Sequence, residues 1–343
     1  MDPVEIARAL VDIDSTTGRE ADAGRWLAAF LRAERFSVVE QPVDATRFNI
    51  IATIDPPSVV LSTHFDCVPP FFPSRADGDR LYGRGACDAK GILAAQIAAV
   101  DTLRRQGVTR VGLLFVVGEE RGSDGARVAN LTNPAALASA GHPATPPHLA
   151  RFLVNGEPTD NRLGLATRGV LRLVLRASGR AAHSAFPELG ESAIDALIDA
   201  LIELRAIALP SDPVLGTTHY TVGLIAGGVA PNVVPPSAEA EVMFRTVGDA
   251  AAVRQAVQSL EARVVIEHLL EVPPVRMITV PGFDAAVFPY TTDIPFLTRW
   301  GQPLLFGPGS IHVAHTADEH VSMAELRAAA GHYVTLARQL LDR

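Results

Sequence analysis

The chain has 343 residues, of which 48% are hydrophobic and 20% are charged, and its formal net charge is −8 at pH 7. This composition is typical of a soluble globular protein, and the negative charge argues against nucleic acid and anionic membrane surfaces as partners. The length exceeds what one hydrophobic core usually serves, so we expect two domains.

The sequence indicates neither a secretory leader nor a membrane span. It begins Met-Asp-Pro-Val-Glu, without a basic region followed by an apolar core. No hydrophobic run approaches the ~20 residues that a membrane helix needs. We therefore expect a cytoplasmic protein with no membrane partner. In that reducing compartment, Cys67 and Cys87 are expected to be free thiols rather than a disulfide.

The first part of the chain alternates helical and strand patterns. Thr17 and Glu20 have the spacing of a capping box, which predicts the start of a helix that runs to about Arg32. A later helical pattern ends at Gly107, a residue suited to the C-terminal cap. The predicted helices cover residues 3–12, 17–32 and 89–106, and the predicted strands cover residues 36–40, 49–54, 58–62 and 111–117.

Three short, continuous apolar runs are typical of strands buried on both faces of a parallel sheet. Acidic or histidine side chains follow each of these runs directly. Because functional groups collect at the carboxyl ends of such strands, we expect these side chains to converge. The runs and the residues that follow them are Ser58–Ser62 with His64 and Asp66, Val111–Val117 with Glu119 and Glu120, and Phe152–Val154 with Glu157. The Pro-rich stretch between the last two, residues 130–150, is interpreted as a surface connection.

After Gly169 the hydrophobic pattern changes to period two, which indicates a strand with one face towards solvent. The order that follows is β-α-β-β-α-β, which predicts a ferredoxin-like α+β domain inserted at residues 170–274. The predicted elements of this domain are strands at 171–175, 218–225, 238–245 and 263–267, and helices at 191–208 and from Asp249.

The chain then returns to the first domain, residues 1–169 and 275–343, with a strand at 303–306 and a last helix from about Met323. The predicted fold class of this domain is α/β, a mixed and mostly parallel sheet flanked by helices.

Five candidate metal ligands are distributed over separate turns. Five nitrogen and oxygen donors are too many for one tetrahedral zinc with an open position, but they suit two ions that share a carboxylate. Two ions ~3.5 to 4 Å apart polarise a carbonyl and lower the pKa of a shared water. The candidate ligands are His64, Asp88, Glu120, Glu157 and His315.

Two further carboxylates, Glu119 and Asp66, are expected at this site, and Asp88 has an alternative role. Glu119, adjacent to Glu120, is the candidate for carrying the proton to the leaving amine. Asp66, two residues after His64, is expected to accept the second N–H of that histidine. Asp88 also precedes a helical pattern, so a helix N-cap role is open beside ligation.

These residues lie in six motifs whose types and order resemble the dinuclear-zinc aminoacylase and carboxypeptidase family. That family includes acetylornithine deacetylase, succinyl-diaminopimelate desuccinylase and glutamate carboxypeptidase, and the resemblance runs from about residue 10 to the C-terminus. The motifs are His64-x-Asp66, Gly83–Gly91, Gly118-Glu119-Glu120, Gly156-Glu157-Pro158-Thr159, Ala182-His183-Ser184 and Ala314–Glu319.

The resemblance implies a role for each ligand. It implies that Asp88 bridges two divalent ions, with zinc the first choice and cobalt or manganese as alternatives. One ion would then be completed by His64 and Glu157, and the other by Glu120 and His315. Glu119 would be the general acid/base.

The resemblance also implies catalytic and substrate-binding residues outside the metal set. His183 on the inserted domain would reach the reacting carbonyl, in many family members from the partner subunit of a dimer. A homodimer through residues 170–274 is therefore expected. Arg245 would bind the substrate carboxylate, and Asn232 and Gly309 would contact the substrate.

The expected function is that of a metal-dependent amidohydrolase that removes the acyl group from an N-acyl amino acid, as a deacetylase or desuccinylase does. The alternative within the family is a carboxypeptidase or dipeptidase that acts next to a free carboxylate. From a different class, a catalytically silent dimerisation or binding module is the remote alternative.

Overall fold

The structure is a computed structural model that describes residues 1–131 and 150–343. The chain divides into two compact units. The first unit contains Met1–Leu165, Met277–Ala286 and Thr292–Arg343, and the second contains Ala166–Arg276 and Val287–Thr291. The predicted surface connection at residues 130–150 lies outside the described residues, except for Asn130, Leu131 and Ala150.

The first unit is built on a six-stranded sheet. Its strands are β1 (Ser37–Pro42), β2 (Phe48–Thr53), β3 (Val59–His64), β6 (Val111–Val116), β7 (Phe152–Asn155) and β17 (Gln302–Leu305). They lie in the order β1-β2-β6-β3-β7-β17. β1 pairs with β2 and β2 with β6 in antiparallel fashion, whereas β6, β3, β7 and β17 run parallel. Within the described part of this unit, the helices are α1 (Pro3–Val11), α2 (Ala21–Ala33), α3 (Lys90–Arg105), α4 (Asp124–Leu131) and α7 (Met323–Leu341).

The central strands are buried on both faces, which explains their continuous apolar sequences. Leu61 and Leu113 face the large core that includes residues of α1, α3 and α7. Val60 and Leu114 face the opposite way, into a smaller core that includes α4 and Trp300. The predicted mixed, mostly parallel sheet with flanking helices is confirmed.

The start of α2 differs from the prediction. The helix begins at Ala21, and no side chain caps its first turn. The Glu20 carboxylate accepts instead from the amide of Gly18, and Thr17 donates its hydroxyl to Asp66. The predicted capping box is therefore wrong, because Thr17 is occupied by a partner that is distant in sequence.

The second unit contains a four-stranded antiparallel sheet and two helices. Its elements are β9 (Gly169–Ser178), α5 (Ala193–Ala206), β12 (His219–Gly227), β13 (Ser237–Thr246), α6 (Ala250–Val257) and β14 (Val265–Val272). The strands lie in the order β12-β13-β9-β14. Along the chain, the elements have the β-α-β-β-α-β order of a ferredoxin-like unit. Leu171, Leu173 and Leu175 of β9 are buried in its core, whereas Arg176 is exposed.

Short strands form further small sheets. They are β4 (Arg75–Asp77), β5 (Arg80–Tyr82) and β18 (His320–Ser322) in one sheet, β8 (Leu163–Thr167), β15 (Val275–Arg276) and β16 (Ala285–Phe288) in another, and the pair β10 (Ser211–Asp212) and β11 (Gly216–Thr217). Within residues 1–131 and 150–343, none of the helices has the length and apolar character to span a bilayer.

Candidate metal centre

His64 stands at the carboxyl end of β3 and is buried, with 1% of its surface exposed. Its Nε2 lies 3.1 Å from Oδ1 of Asp88. His64, Asp88 and Glu120 offer ligand atoms that all lie within 4.8 Å of one another. Burial alone would lower the pKa of His64, but the carboxylates of Asp66 and Asp88 raise it well above its usual value.

Asp88 lies between two histidines. Besides His64, the Nε2 of His315 lies 3.3 Å from Oδ2 of Asp88. The N-cap of α3 is Ala89, and it makes no side-chain capping bond, so the open alternative of an Asp88 cap is not formed. One carboxylate that offers one oxygen to each side has the arrangement of a bridging ligand.

His315 adopts a left-handed backbone conformation, with φ of 64°. This conformation is uncommon for a residue other than glycine and concentrates at functional sites. Its Nε2 lies 2.9 Å from Oε1 of Glu120. Hydrogen bonds to Asp88 and Glu120 raise the pKa of His315 to about 10. The same acceptors that raise this pKa would attract a divalent cation.

Glu157 follows β7 and is 5% exposed. Among the described residues, its buried Oε1 has no hydrogen-bond partner. Burial, together with the charges of Glu119 and Asp88, raises its pKa well above the ordinary value. Such an orphaned carboxylate oxygen is costly unless it meets a cation or a proton.

The Glu119-Glu120 turn is held by the carboxylate of Asp66. The amides of Glu119 and Glu120 donate to its Oδ1 and Oδ2 at 3.0 and 3.2 Å, and Thr17 donates its hydroxyl at 2.9 Å. Gly118, with φ of 74°, makes the turn at the end of β6. Burial raises the pKa of the Glu119 carboxyl well above its usual range, and neighbouring carboxylates add to this effect.

The predicted hydrogen bond from His64 to Asp66 takes a different form. His64 Nδ1 lies 3.0 Å from the main-chain oxygen of Asp66 and 3.4 Å from its carboxylate. The main-chain oxygen is therefore the nearer acceptor and orients the ring. The carboxylate is free to hold the Glu119-Glu120 turn, a role that the sequence did not reveal.

Glu319 is a second residue whose role the sequence did not reveal. Its Oε1 accepts from the amides of Gly85, Cys87 and Asp88 at 2.9, 3.2 and 3.1 Å. Its Oε2 lies 2.6 Å from Nη1 of Arg84, and both side chains are at most 2% exposed. This ion pair fixes the backbone that carries Asp88. The only available signal was the motif in which Glu319 follows His315.

Asp293 is a buried carboxylate that the sequence patterns did not single out. It is 1% exposed, and burial raises its pKa to about 6. Its charge adds to the causes that raise the pKa of Glu119 and of Glu157. The electrostatic environment of the candidate centre is therefore more acidic than the five predicted ligands make it.

The ligand set fits two divalent cations. Two imidazoles and three carboxylates are the nitrogen and oxygen donors that zinc, cobalt and manganese accept. The orphaned oxygen of Glu157 and the raised pKa values of His64 and His315 mark places that favour positive charge.

His183 and Asn232 lie in the second unit. Ser184 donates its amide to the carbonyl of Asn232 at 3.0 Å, and Val234 donates to Ala182 at 2.9 Å. The two predicted residues thus lie on adjoining segments, and both side chains are exposed.

Arg245 lies on β13, opposite His219 on β12. Its side chain is partly buried, and the structure shows no hydrogen bond or ion pair for its guanidinium within the described ranges. Burial lowers its pKa, and that of His219 is lowered by burial and by the charges of Arg168 and Arg245. Arg168 lies 2.5 Å from Nδ1 of His219, and its Nε is buried without a partner in the described chain. Three cationic or basic groups therefore meet here, and none of the described acidic side chains pairs with Arg245 or His219.

Gly309 and the two cysteines have structural contacts. The Gly309 amide donates to Glu325 at 2.8 Å, and its carbonyl accepts from Asp160. Its φ of 84° and its approach to Cys87 explain why glycine stands there, since a Cβ would lie 2.6 Å from that sulfur. Its contact with substrate stays a prediction. Cys67 and Cys87 are free and buried.

Sequence comparisons extend over most of the chain. The profile of peptidase family M20/M25/M40 matches residues 60–339. A probable carboxypeptidase of Aspergillus clavatus is 38% identical over 380 residues, which cover 98% of this chain and 82% of the relative. A peptidase M20 domain-containing protein of Schizosaccharomyces pombe is 36% identical over 337 residues, which cover 94% of this chain and 81% of the relative.

Solved structures of low sequence identity share the fold. An aminopeptidase of Bacillus cereus has a TM-score of 0.79 at 17% identity, with 99% and 98% of the two chains covered. An M20 family dinuclear metal-binding peptidase of Bacillus subtilis has a TM-score of 0.72 at 16% identity, with 99% and 98% covered. These matches confirm the fold and the resemblance that the motifs indicated. The chain therefore belongs to peptidase family M20/M25/M40 and is a metallopeptidase.

Proposed function

We propose that this enzyme releases an amino acid by hydrolysing an amide bond next to a free carboxylate. The observation that carries the proposal is the half-buried Glu119 carboxyl, which has a raised pKa and belongs to the same turn as the candidate ligand Glu120. A carboxyl group in that place can take a proton from water and return it to a leaving amine.

The proposed mechanism uses Glu119 as the proton carrier. When bound, two divalent ions would polarise the scissile carbonyl and acidify water. His64, Asp88, Glu120, Glu157 and His315 would hold these ions. Glu119 first accepts a proton from the attacking water at its carboxylate. It then donates that proton to the amine nitrogen as the amide bond breaks.

Asp66 and Glu319 position the reacting groups without contacting the substrate in this proposal. Asp66 sets the direction of the Glu119-Glu120 turn through two main-chain amides. Glu319 does the same for Asp88 through three amides. Such supporting hydrogen bonds keep the metal-ligating side chains oriented, and their loss typically lowers metal affinity or activity 10- to 100-fold.

Arg245 is the proposed partner of the substrate carboxylate. Its guanidinium has no acid or hydrogen-bond acceptor as a partner in the described residues, although its side chain is partly buried. His219 and Arg168 add positive charge or donors beside it. His183 and Asn232, on adjoining exposed segments, are proposed to contact the reacting carbonyl and the substrate.

Two substrate classes fit the same chemistry. A peptide substrate is favoured because relatives at 37 to 40% identity are named probable carboxypeptidases. The N-acyl amino acid, the first choice from the motifs, presents the same amide and the same free carboxylate. The acyl side of the substrate distinguishes the two classes.

The test is a panel of dipeptides, N-acetyl amino acids and N-succinyl amino acids assayed with zinc, cobalt or manganese. Arg245→Gln is expected to raise KM for the best substrate at least about 10-fold, because a hydrogen bond to a charged group is lost. An amidated substrate that lacks the carboxylate should show little effect of the variant. Equal losses on both substrates, or no hydrolysis in the panel, would contradict the proposal.

A homodimer through the second unit is also proposed. β12 is an edge strand, and such strands are open to pairing with another chain. Leu224 and Ile225 are 66 and 62% exposed, and Ile198 and Ile202 on α5 are 45 and 60% exposed. Antiparallel pairing of β12 with its own copy is compatible with twofold symmetry. Sedimentation equilibrium should give a dimer that Ile202→Glu weakens, and a monomeric wild type would contradict this proposal.

A further inference from the structure

The first unit has a groove that the proposed mechanism does not use. It has a volume of about 370 Å³, which is within the range of small-ligand pockets. One wall is apolar and consists of Pro69, Pro70 and Phe71. The remaining lining residues are polar or charged, namely Asp14, Thr16, Thr17, Arg19 and Arg121.

The two arginines of this groove are available to a ligand. Arg121 is exposed, and its guanidinium makes no hydrogen bond or ion pair within residues 1–131 and 150–343. Arg19 has one long contact, 3.4 Å to Asp14, and its side chain is 75% exposed. Asp14 is already engaged by the amide and hydroxyl of Thr16 at 2.9 Å each. Most of the N–H groups of Arg19 and Arg121 are therefore not paired with Asp14, the acidic residue of the lining, and are available to a ligand.

The groove adjoins the proposed catalytic turn. Thr17, on its lining, donates to Oδ2 of Asp66, which also accepts the amide of Glu120. Arg121 is the last residue of the same short helical turn as Glu119 and Glu120. A group bound by Arg121 is thus held by the segment that carries the proposed proton carrier.

We propose that this groove binds a carboxylate on the acyl side of the scissile amide. The apolar wall would pack against a short aliphatic stem, and Arg19 and Arg121 would bind the carboxylate at its end. Planar guanidinium groups suit this partner because they can form paired hydrogen bonds to a carboxylate. The inference rests on the proposed amide hydrolysis. It specifies that the acyl part of the substrate carries a negative charge.

The test compares substrates that differ only in this charge. Suitable pairs are dipeptides with N-terminal Glu or Gln, and N-glutaryl or N-pentanoyl amino acids, each with the same released residue. The acidic member is expected to have a kcat/KM about 10-fold higher, as for a hydrogen bond to a charged group. Arg121→Gln and Arg19→Gln are expected to bring this ratio towards one, mainly through KM.

Arg32→Gln is the matched control, because Arg32 is half exposed, pairs with Glu40 and does not line the groove. It should leave the ratio unchanged. A wild-type ratio of one or below, or a ratio that survives in the double arginine variant, would overturn the inference while amide hydrolysis persists. Failure to hydrolyse either member of both pairs would overturn the proposed function together with the inference.

Discussion

Glu119→Gln is expected to lower kcat by at least ~10²-fold, which is within the usual contribution of a positioned acid or base. Glutamine keeps the size of the side chain but can neither take nor deliver the proton. The main-chain amide of residue 119 still donates to Asp66, so the turn should keep its conformation. Steady-state kinetics and metal analysis of the same preparation provide the measurement.

Metal content should be unchanged in Glu119→Gln, because Glu119 is not one of the proposed ligands. Glu261→Gln, at an exposed position in the second unit, makes the same change of charge and should keep full activity. A loss of metal equal to the loss of rate would reassign Glu119 as a ligand. A normal kcat in Glu119→Gln would contradict the role of Glu119 as the proton carrier.

The pH profile tests the same residue in a second way. Burial raises the pKa of Glu119, so its protonated form persists above the ordinary range of a glutamic acid. A general base must be deprotonated, and kcat/KM is therefore expected to fall as the pH falls through this pKa. The acidic limb of the profile should be absent from the residual activity of Glu119→Gln.

Glu319→Ala is expected to reduce the free energy of unfolding by about 3 to 5 kcal/mol, the range for removing one partner of a buried ion pair. Arg84, 2% exposed, would be left buried without its carboxylate. Three amides between Gly85 and Asp88 would lose their acceptor at the same time. Chemical denaturation with and without zinc provides the measurement.

Glu319→Gln separates folding from positioning. Its amide oxygen can still accept from the backbone, but the charge that pairs with Arg84 is lost. We expect a folded protein whose metal affinity falls about 10- to 100-fold, because the segment that carries Asp88 is held less firmly. Asp318→Asn, at the adjacent exposed position, should behave as wild type. Normal metal affinity in Glu319→Gln would contradict the positioning role.

The sequence predicted most of the first unit because its strands are continuous apolar runs. Burial on both faces demands that pattern, and the observed strands β3, β6 and β7 lie within two residues of the predicted limits. The meeting of His64 and Glu120 follows from the same rule, since side chains after parallel strands share one edge of the sheet. Asp88 joins them from the segment before α3 rather than from a strand end.

The supporting contacts could not be predicted from local patterns. The bond between Glu319 and the amide of Asp88 joins residues 231 positions apart, and that between Thr17 and Asp66 joins residues 49 apart. Local spacing favoured a capping box at Thr17, but the hydroxyl has a tertiary partner. The meeting of Arg168, His219 and Arg245 likewise depends on the pairing of β12 with β13.

The most direct test of the dimetal proposal is the number of ions bound per chain. The wild-type protein is reconstituted with zinc and separated from excess metal by gel filtration. Inductively coupled plasma mass spectrometry should then give two zinc ions per chain. Activity should rise in parallel as the ions are restored to a chelator-treated sample. A content of one ion or fewer at full activity would contradict the five-ligand, two-ion centre.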